Sequence, residues 1–179
     1  MRTLQTWLAG ALLAFSGGLH AAEPLPTIAS LDVPRYMGTW YEIAKFPNWF
    51  QKKCVSNTRA NYLLRSDGTV QVTNRCKMAS GEIDEAIGSA RQIGPATSPK
   101  LQVRFAPAWL SLIPAVWGDY WVVALEDNYQ WVAVSEPGRQ YLWILSRTPR
   151  MEPKAYADLL LRLAALGLDV QKLEVTAQD

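Results

Sequence analysis

Gly38-Thr39-Trp40-Tyr41-Glu42-Ile43-Ala44 and Tyr141-Leu142-Trp143-Ile144-Leu145-Ser146-Arg147, about a hundred residues apart, are the two segments whose reading decides the fold. The first puts a tryptophan near the start of a run of strand-like segments, and the second puts an arginine at the end of that run. A cation over an indole face is attracted by the ring quadrupole. A Trp and an Arg at opposite ends of such a run therefore suggest a sheet closed on itself.

Strand-like patterns occupy residues 39–46, 57–64, 70–77, 85–92, 100–106, 120–125, 129–134 and 141–146. They are joined mainly by turn residues such as Asp67-Gly68, Glu126-Asp127-Asn128 and Pro137-Gly138. Eight short strands without intervening helices favour an antiparallel sandwich or barrel. Residues 23–31, with Pro24 and Pro26, read as an extended lead-in, and 32–37 as one short turn capped by Asp32. After the strands the period changes. Tyr156, Leu159, Leu160, Leu163 and Leu166 fall at helical spacing between Pro153 and Gly167. Glu152 is a mediocre cap for this helix, which is expected to pack outside the sheet and be followed by a short edge segment near 170–175.

The chain has 179 residues, 49% hydrophobic and 19% charged, enough for one well-filled core. Its 18 basic and 16 acidic residues form no like-charged block, so no nucleic-acid partner is expected. Residues 1–22 read as a signal peptide: Arg2 precedes an apolar stretch from Trp7 to Phe15, and Leu19-His20-Ala21-Ala22 forms a small-residue cleavage zone. His20, the single histidine, falls inside that segment. The processed chain would then lack histidine-based triads, histidine metal sites and histidine-ligated haem. Neither cysteine lies in the segment or at its end, so the product is expected to be exported without a lipid anchor: periplasmic in a Gram-negative host, otherwise secreted.

Export changes how Cys54 and Cys76 are read. They flank two strand-like stretches joined by Arg65-Ser66-Asp67-Gly68, a hairpin pattern. With Leu64 opposite Thr69, position 54 comes within disulfide reach of 76. A bridge closing about twenty residues would contribute about 2–4 kcal/mol. The alternative is a reactive thiol pair, which requires a lowered thiolate pKa.

Gly38-Thr39-Trp40-Tyr41-Glu42-Ile43-Ala44, then Leu125-Glu126-Asp127-Asn128-Tyr129, then Tyr141 through Arg147-Thr148-Pro149 resemble, in that order, the motifs of the lipocalin family. The resemblance is to its bacterial outer-membrane branch with plant and apolipoprotein D relatives, and covers roughly residues 32–175. It implies an all-β fold, an eight-stranded antiparallel up-and-down barrel with one C-terminal helix outside. Residues 32–179 form this single domain. Gly38, Trp40 and Arg147 close one end as structural residues, and the other end admits one small apolar ligand. Many members of the bacterial branch carry a lipobox cysteine, which this sequence lacks.

Alternation along strands selects an inward set. Counting from Trp40 gives Glu42 and Ala44; counting back from Arg147 gives Leu145, Trp143 and Tyr141. With register fixed by the resemblance, the other strands contribute Ala60, Tyr62, Val72, Asn74, Ala86, Gly88, Val103, Phe105, Tyr120, Val122, Trp131 and Ala133. A one-residue slip inverts any strand's set. Inward Glu42 is costly unless bonded or protonated, so it is either held by neighbouring polar groups or reserved for a ligand head group. The longer connections would ring the opening with Trp49, Phe50, Trp109, Leu110, Leu112, Ile113 and Trp117. Such a rim either touches a membrane, partner or ligand, or folds over the mouth and buries itself.

These features point to an exported, non-enzymatic carrier of small hydrophobic molecules, with fatty acids or lysophospholipids the class the resemblance implies, acting in membrane maintenance. No cofactor or metal is expected, and the chain is expected to be a monomer or homodimer with peripheral membrane contact at the barrel mouth. The alternatives are a lipid-modifying enzyme acting through Glu42 and a protein-binding module acting through the rim.

Overall fold

Pleated alternation and short polar turns produce a closed antiparallel sheet in the computed structural model, which describes residues 24–179. The expected signal peptide lies outside the described residues. A short helix, α1 (Val33–Tyr36), precedes β1 (Gly38–Lys45), β2 (Cys54–Leu64), β3 (Val70–Met78), β4 (Ile83–Gln92) and β5 (Lys100–Arg104). There follow β6 (Gly118–Leu125), β7 (Trp131–Ser135), β8 (Leu142–Ser146), the helix α2 (Pro153–Ala165) and a short ninth strand, β9 (Glu174–Val175). From β2 to β8 each strand pairs with the next in sequence, and β1 closes the cylinder by pairing with both β2 and β8. The eight expected strands and the outer helix are present, and the expected edge segment is β9, which pairs with Ala44 and Lys45.

Two apolar clusters share the barrel wall. The inner one contains Trp40, Ala60, Tyr62, Val72, Val122, Val132, Val134 and Leu145. The outer one contains Ala44, Ala124, Ala133, Ile144, Leu159 and Leu163. Ala124, Ala133, Ile144 and Ala44 are successive register partners across β6, β7, β8 and β1. Three of these four residues are alanine, which makes a shallow row on which α2 seats Leu159 and Leu163, both almost fully buried. Burying each leucine contributes about 2 kcal/mol. Glu152 is a better cap than its residue type suggests: its carboxylate accepts from the backbone N–H groups of Lys154 at 3.0 Å and Ala155 at 2.7 Å.

At the closed end Arg147 lies over Trp40, its guanidinium carbon 3.8 Å from the ring centroid. Its Nε donates to the Tyr129 carbonyl at 3.2 Å, and its terminal nitrogens donate to Thr39 at 3.1 Å and Arg35 at 2.8 Å. One side chain thus joins α1, β1 and the β6–β7 turn. Trp40 is itself anchored, its Nε1 donating to the Tyr36 carbonyl at 2.8 Å. Gly38 has φ +97°, and a Cβ there would stand 3.3 Å from an Arg147 nitrogen, so glycine suits both the backbone and the space.

Cys54 and Cys76 are bridged, with Cα atoms 5.5 Å apart. Leu64 pairs with Val70 rather than the expected Thr69, and two irregularities between Cys54 and Arg59 bring Cys54 opposite Met78, two residues from Cys76. Replacing both by serine is expected to lower the melting temperature by about 5–15 °C; an unchanged melting temperature in a reversible thermal scan would discount the bridge as a stabiliser. Arg147→Lys keeps a cation over Trp40 but loses the forked donors, and should cost about 2–4 kcal/mol in a denaturant titration with unchanged m-value. A loss under about 1 kcal/mol would show that the indole contact, rather than the three carbonyl bonds, holds the floor.

Candidate functional site: barrel interior and mouth

The inner face of the barrel is built by Ala60 and Tyr62 on β2, Val70 and Val72 on β3, Ala90 on β4, Leu101 and Val103 on β5, and Tyr120 and Val122 on β6. Asn74 and Ala86 share a register row with inward Ala60 and so face the same way. Ala60, Ala86 and Gly88 are small, so the wall from β2 to β4 is thinly clothed. A Cβ on Gly88 would meet the Phe105 ring at 2.8 Å, so Phe105 occupies the space that a side chain there would take. Phe105 is also half exposed, at the mouth end of β5.

Four expectations are corrected. Ala44 was expected inside but lies in the outer cluster, because β1 bulges between Glu42 and Ala44 and the bulge reverses the alternation. Trp131 and Ala133 likewise pack outside, while Val132 and Val134 face inward, a one-residue slip on β7. Trp117 does not ring the opening. It continues the outward row of β5 and β6, with the guanidinium carbons of Arg91 and Arg104 4.0 Å and 5.2 Å from its ring centroid. Its Nε1 donates to the Ser111 carbonyl at 2.8 Å and so pins the 105–117 connection to the wall. Tyr120, Val122, Trp143 and Leu145 face inward as expected.

The tip of the long connection is not buried over the mouth. Trp109 is 79% exposed, Leu112 92% and Ile113 46%, while Leu110 is partly covered. The other long loop is split: Trp49 is exposed, whereas Phe50 leans on Tyr141 and Trp143 with ring centres 5.8 and 6.2 Å away. Tyr141 and Trp143 stack at 5.8 Å, forming an aromatic side to the opening.

Glu42 sits just inside that opening and is 2% exposed. Each of its oxygens accepts one bond, from Gln51 Nε2 at 2.7 Å and from Thr176 Oγ1 at 2.6 Å. Gln51 Oε1 in turn accepts from Trp143 Nε1 at 3.0 Å and Asn48 Nδ2 at 2.7 Å. Gln178 Nε2 bridges the carbonyls of Glu42 and Thr58, and the Asn57 N–H donates to the Ala177 carbonyl. The C-terminal segment therefore fills the seam where β1 and β2 part. Gln51 and Thr176 were not among the expected site residues. Asn48, which caps the 3-10 turn Trp49–Gln51, was the available signal for Gln51. For Thr176 the signal would have been the strand partner of the segment after α2, which local patterning does not give. A groove of about 500 Å³ opens beside this latch, lined by Lys45, Asn48, Trp49, Gln51, Lys52 and Glu174 among others.

Burial pushes the Glu42 carboxyl above its ordinary value of 4.5, and the bonds from Thr176 and Gln51 and the charge of Lys45 offset only part of that. The folded state then holds this proton more tightly than the unfolded chain. Stability from this group is fully present below pH 4.5 and is lost as pH rises through the folded value. Glu42→Gln removes this loss, so its melting temperature relative to the unaltered protein should climb from acid to neutral pH. Parallel melting curves across that range would contradict the assignment.

The comparisons with known proteins agree with this geometry. Residues 31–178 match the family model described as a lipocalin-like domain. The chain is 43% identical over 159 residues to temperature-induced lipocalin-1 of Arabidopsis thaliana, covering 88% of this chain and 84% of that one. It is 35% identical over 146 residues to the outer membrane lipoprotein Blc of Escherichia coli, covering 81% and 78%, and 32% identical over 160 residues to apolipoprotein D of Mus musculus, covering 86% and 80%. Among solved structures, insecticyanin from the tobacco hornworm Manduca sexta superposes with a TM-score of 0.65 at 19% identity, covering 86% and 84% of the two chains. The cockroach allergen Per a 4 gives 0.66 at 21%, covering 86% and 93%. These two show the shared fold. With the family model spanning nearly all the described residues, the chain belongs to the lipocalin family, whose members bind small hydrophobic ligands.

Proposed function

We propose that this protein is an exported carrier, released from a signal peptide at residues 1–22, that takes up fatty acids or lysophospholipids through the barrel mouth and serves membrane maintenance without catalysing a reaction. One observation carries the reading. The interior lining of Ala, Val and Tyr side chains runs up past Tyr141 and Trp143 to a rim whose most exposed residues, Trp109 and Leu112, are apolar. Binding on this view is desolvation of a hydrocarbon chain in a preformed barrel, with a few polar groups setting its orientation. Trp109, Leu112 and Ile113 rest in the interfacial region of a bilayer, where an amphipathic indole is favoured, and ligand passes from membrane to barrel without crossing water.

The protein without residues 1–22 is expected to bind a dansyl-labelled fatty acid with a blue-shifted emission, displaced by unlabelled fatty acid or lysophospholipid. Absence of any saturable binding would end the carrier proposal. Trp109→Ser with Ile113→Ser should abolish co-sedimentation with phospholipid vesicles while leaving dissolved-probe affinity within about twofold, because neither side chain belongs to the interior. Vesicle binding that survives both changes would remove the membrane step.

A further inference from the structure

One polar feature of the interior neither fastens a loop nor closes a strand seam. Tyr36 on α1, Tyr62 on β2 and Tyr120 on β6 bring their hydroxyls together above Trp40, with Tyr36 Oη 2.6 Å and Tyr62 Oη 3.1 Å from Tyr120 Oη. The rings are held by their neighbours. Tyr36 stacks on Tyr62 at 5.6 Å and 12°, Tyr62 meets Tyr120 edge-on at 6.4 Å, and Tyr36 packs on Trp40 at 5.0 Å.

Counting protons shows what this cluster lacks. Three phenols carry three protons, and each oxygen can also accept. The two bonds of the chain consume two protons. If both outer phenols donate to Tyr120, its own proton is left over; if the chain runs in one direction, the proton of the last phenol is left over. Every arrangement leaves one O–H unmet, and no other acceptor among the described residues bonds to any of the three oxygens. A buried donor without an acceptor carries an unrecovered desolvation penalty.

We propose that this spare phenolic donor is a recognition point at the barrel floor, taking the neutral acceptor oxygen, a carbonyl or ether, of an apolar ligand that enters polar end first. The inference rests on the carrier reading, and it divides ligands into two classes by orientation. An anionic head is unsuited to the floor. Burial holds all three phenols well above their ordinary value of 10.0, so they remain neutral donors and supply no positive charge. The neighbouring cation, Arg147, has its guanidinium engaged with the carbonyls of Tyr129, Thr39 and Arg35. Glu42 faces the same interior and, once ionised, opposes an anion there. A carboxylate at the floor would be desolvated with the charge of Arg147 as its offset, and that cation already holds three carbonyls. Charged amphiphiles therefore keep their heads at the mouth, and neutral ketones, esters or ethers are held at the bottom.

The test uses a long-chain methyl ketone with a carbon-13 carbonyl, its hydrocarbon counterpart of equal length and the dansyl fatty acid. In the unaltered protein the bound ketone should show a carbonyl stretch lowered relative to hexane and bind about fivefold to tenfold more tightly than the hydrocarbon. Tyr36→Phe, Tyr62→Phe and Tyr120→Phe together keep the aromatic rings, remove all three phenolic protons, and should restore the hexane frequency and erase the preference. An unshifted carbonyl in the unaltered protein, or a shift that persists in the triple variant, overturns the proposal. Should the triple variant not fold, the spectrum of the unaltered protein decides alone. Fatty acid binding without ketone preference defeats only the floor site, whereas failure of all three probes defeats the carrier reading with it.

Discussion

The barrel depends on one guanidinium. A cylinder of antiparallel strands has no free edge, but its bottom is a hole ringed by carbonyls and turn backbones that need partners. Arg147 meets that need because a planar fork donates in several directions while its face lies on an indole. The three carbonyls it reaches belong to the helix that enters the barrel, the first strand and the turn between the sixth and seventh strands. No apolar side chain can connect those three elements, and an ammonium has no planar face to lay on the indole while it donates. Trp40, fully buried, supplies the surface on which the fork rests and the lid beneath the interior.

The strand count, the outer helix, the disulfide and the Trp–Arg closure were legible in the sequence because each has a local sign: a period, a turn, a pair of cysteines, a motif. The wall-facing of individual residues was less so. Alternation from Trp40 correctly turns Glu42 inward and then fails at Ala44, since a bulge adds one residue without any change of composition. On β6 the same irregularity falls between Val122 and Ala124, and β7 was read one residue out of step. Val132, Ala133 and Val134 are all apolar and all fully buried, so hydrophobicity carries no sign of which face is which. A wall covered on both sides, by the inner apolar cluster and by α2, loses the inside–outside contrast on which period-two reading relies.

The bulges are also what makes the wall fit the helix. By moving Ala44 and Ala124 to the outer face, they align small residues with Ala133 along a continuous register row, and α2 sits close enough to bury two leucines fully. The chain then continues from α2 to β9 and the C-terminal residues, which fill the β1–β2 seam and bond Glu42 from behind. A local irregularity in one strand thus determines where the end of the chain lies, and through it the polar environment of a residue at the mouth.

Glu42 and the phenol cluster divide the interior into two polar levels with an apolar stretch between them. At the upper level a carboxylate already has both oxygens engaged, by a loop residue and by the C-terminal segment, so a ligand gains there only by displacing Gln51 or Thr176. At the lower level one phenolic O–H has no acceptor within reach among the described residues. An interior saturated at the top and unsaturated at the bottom cannot treat the two ends of an amphiphile alike. On the proposed reading, depth in the barrel sets which end of a ligand points down.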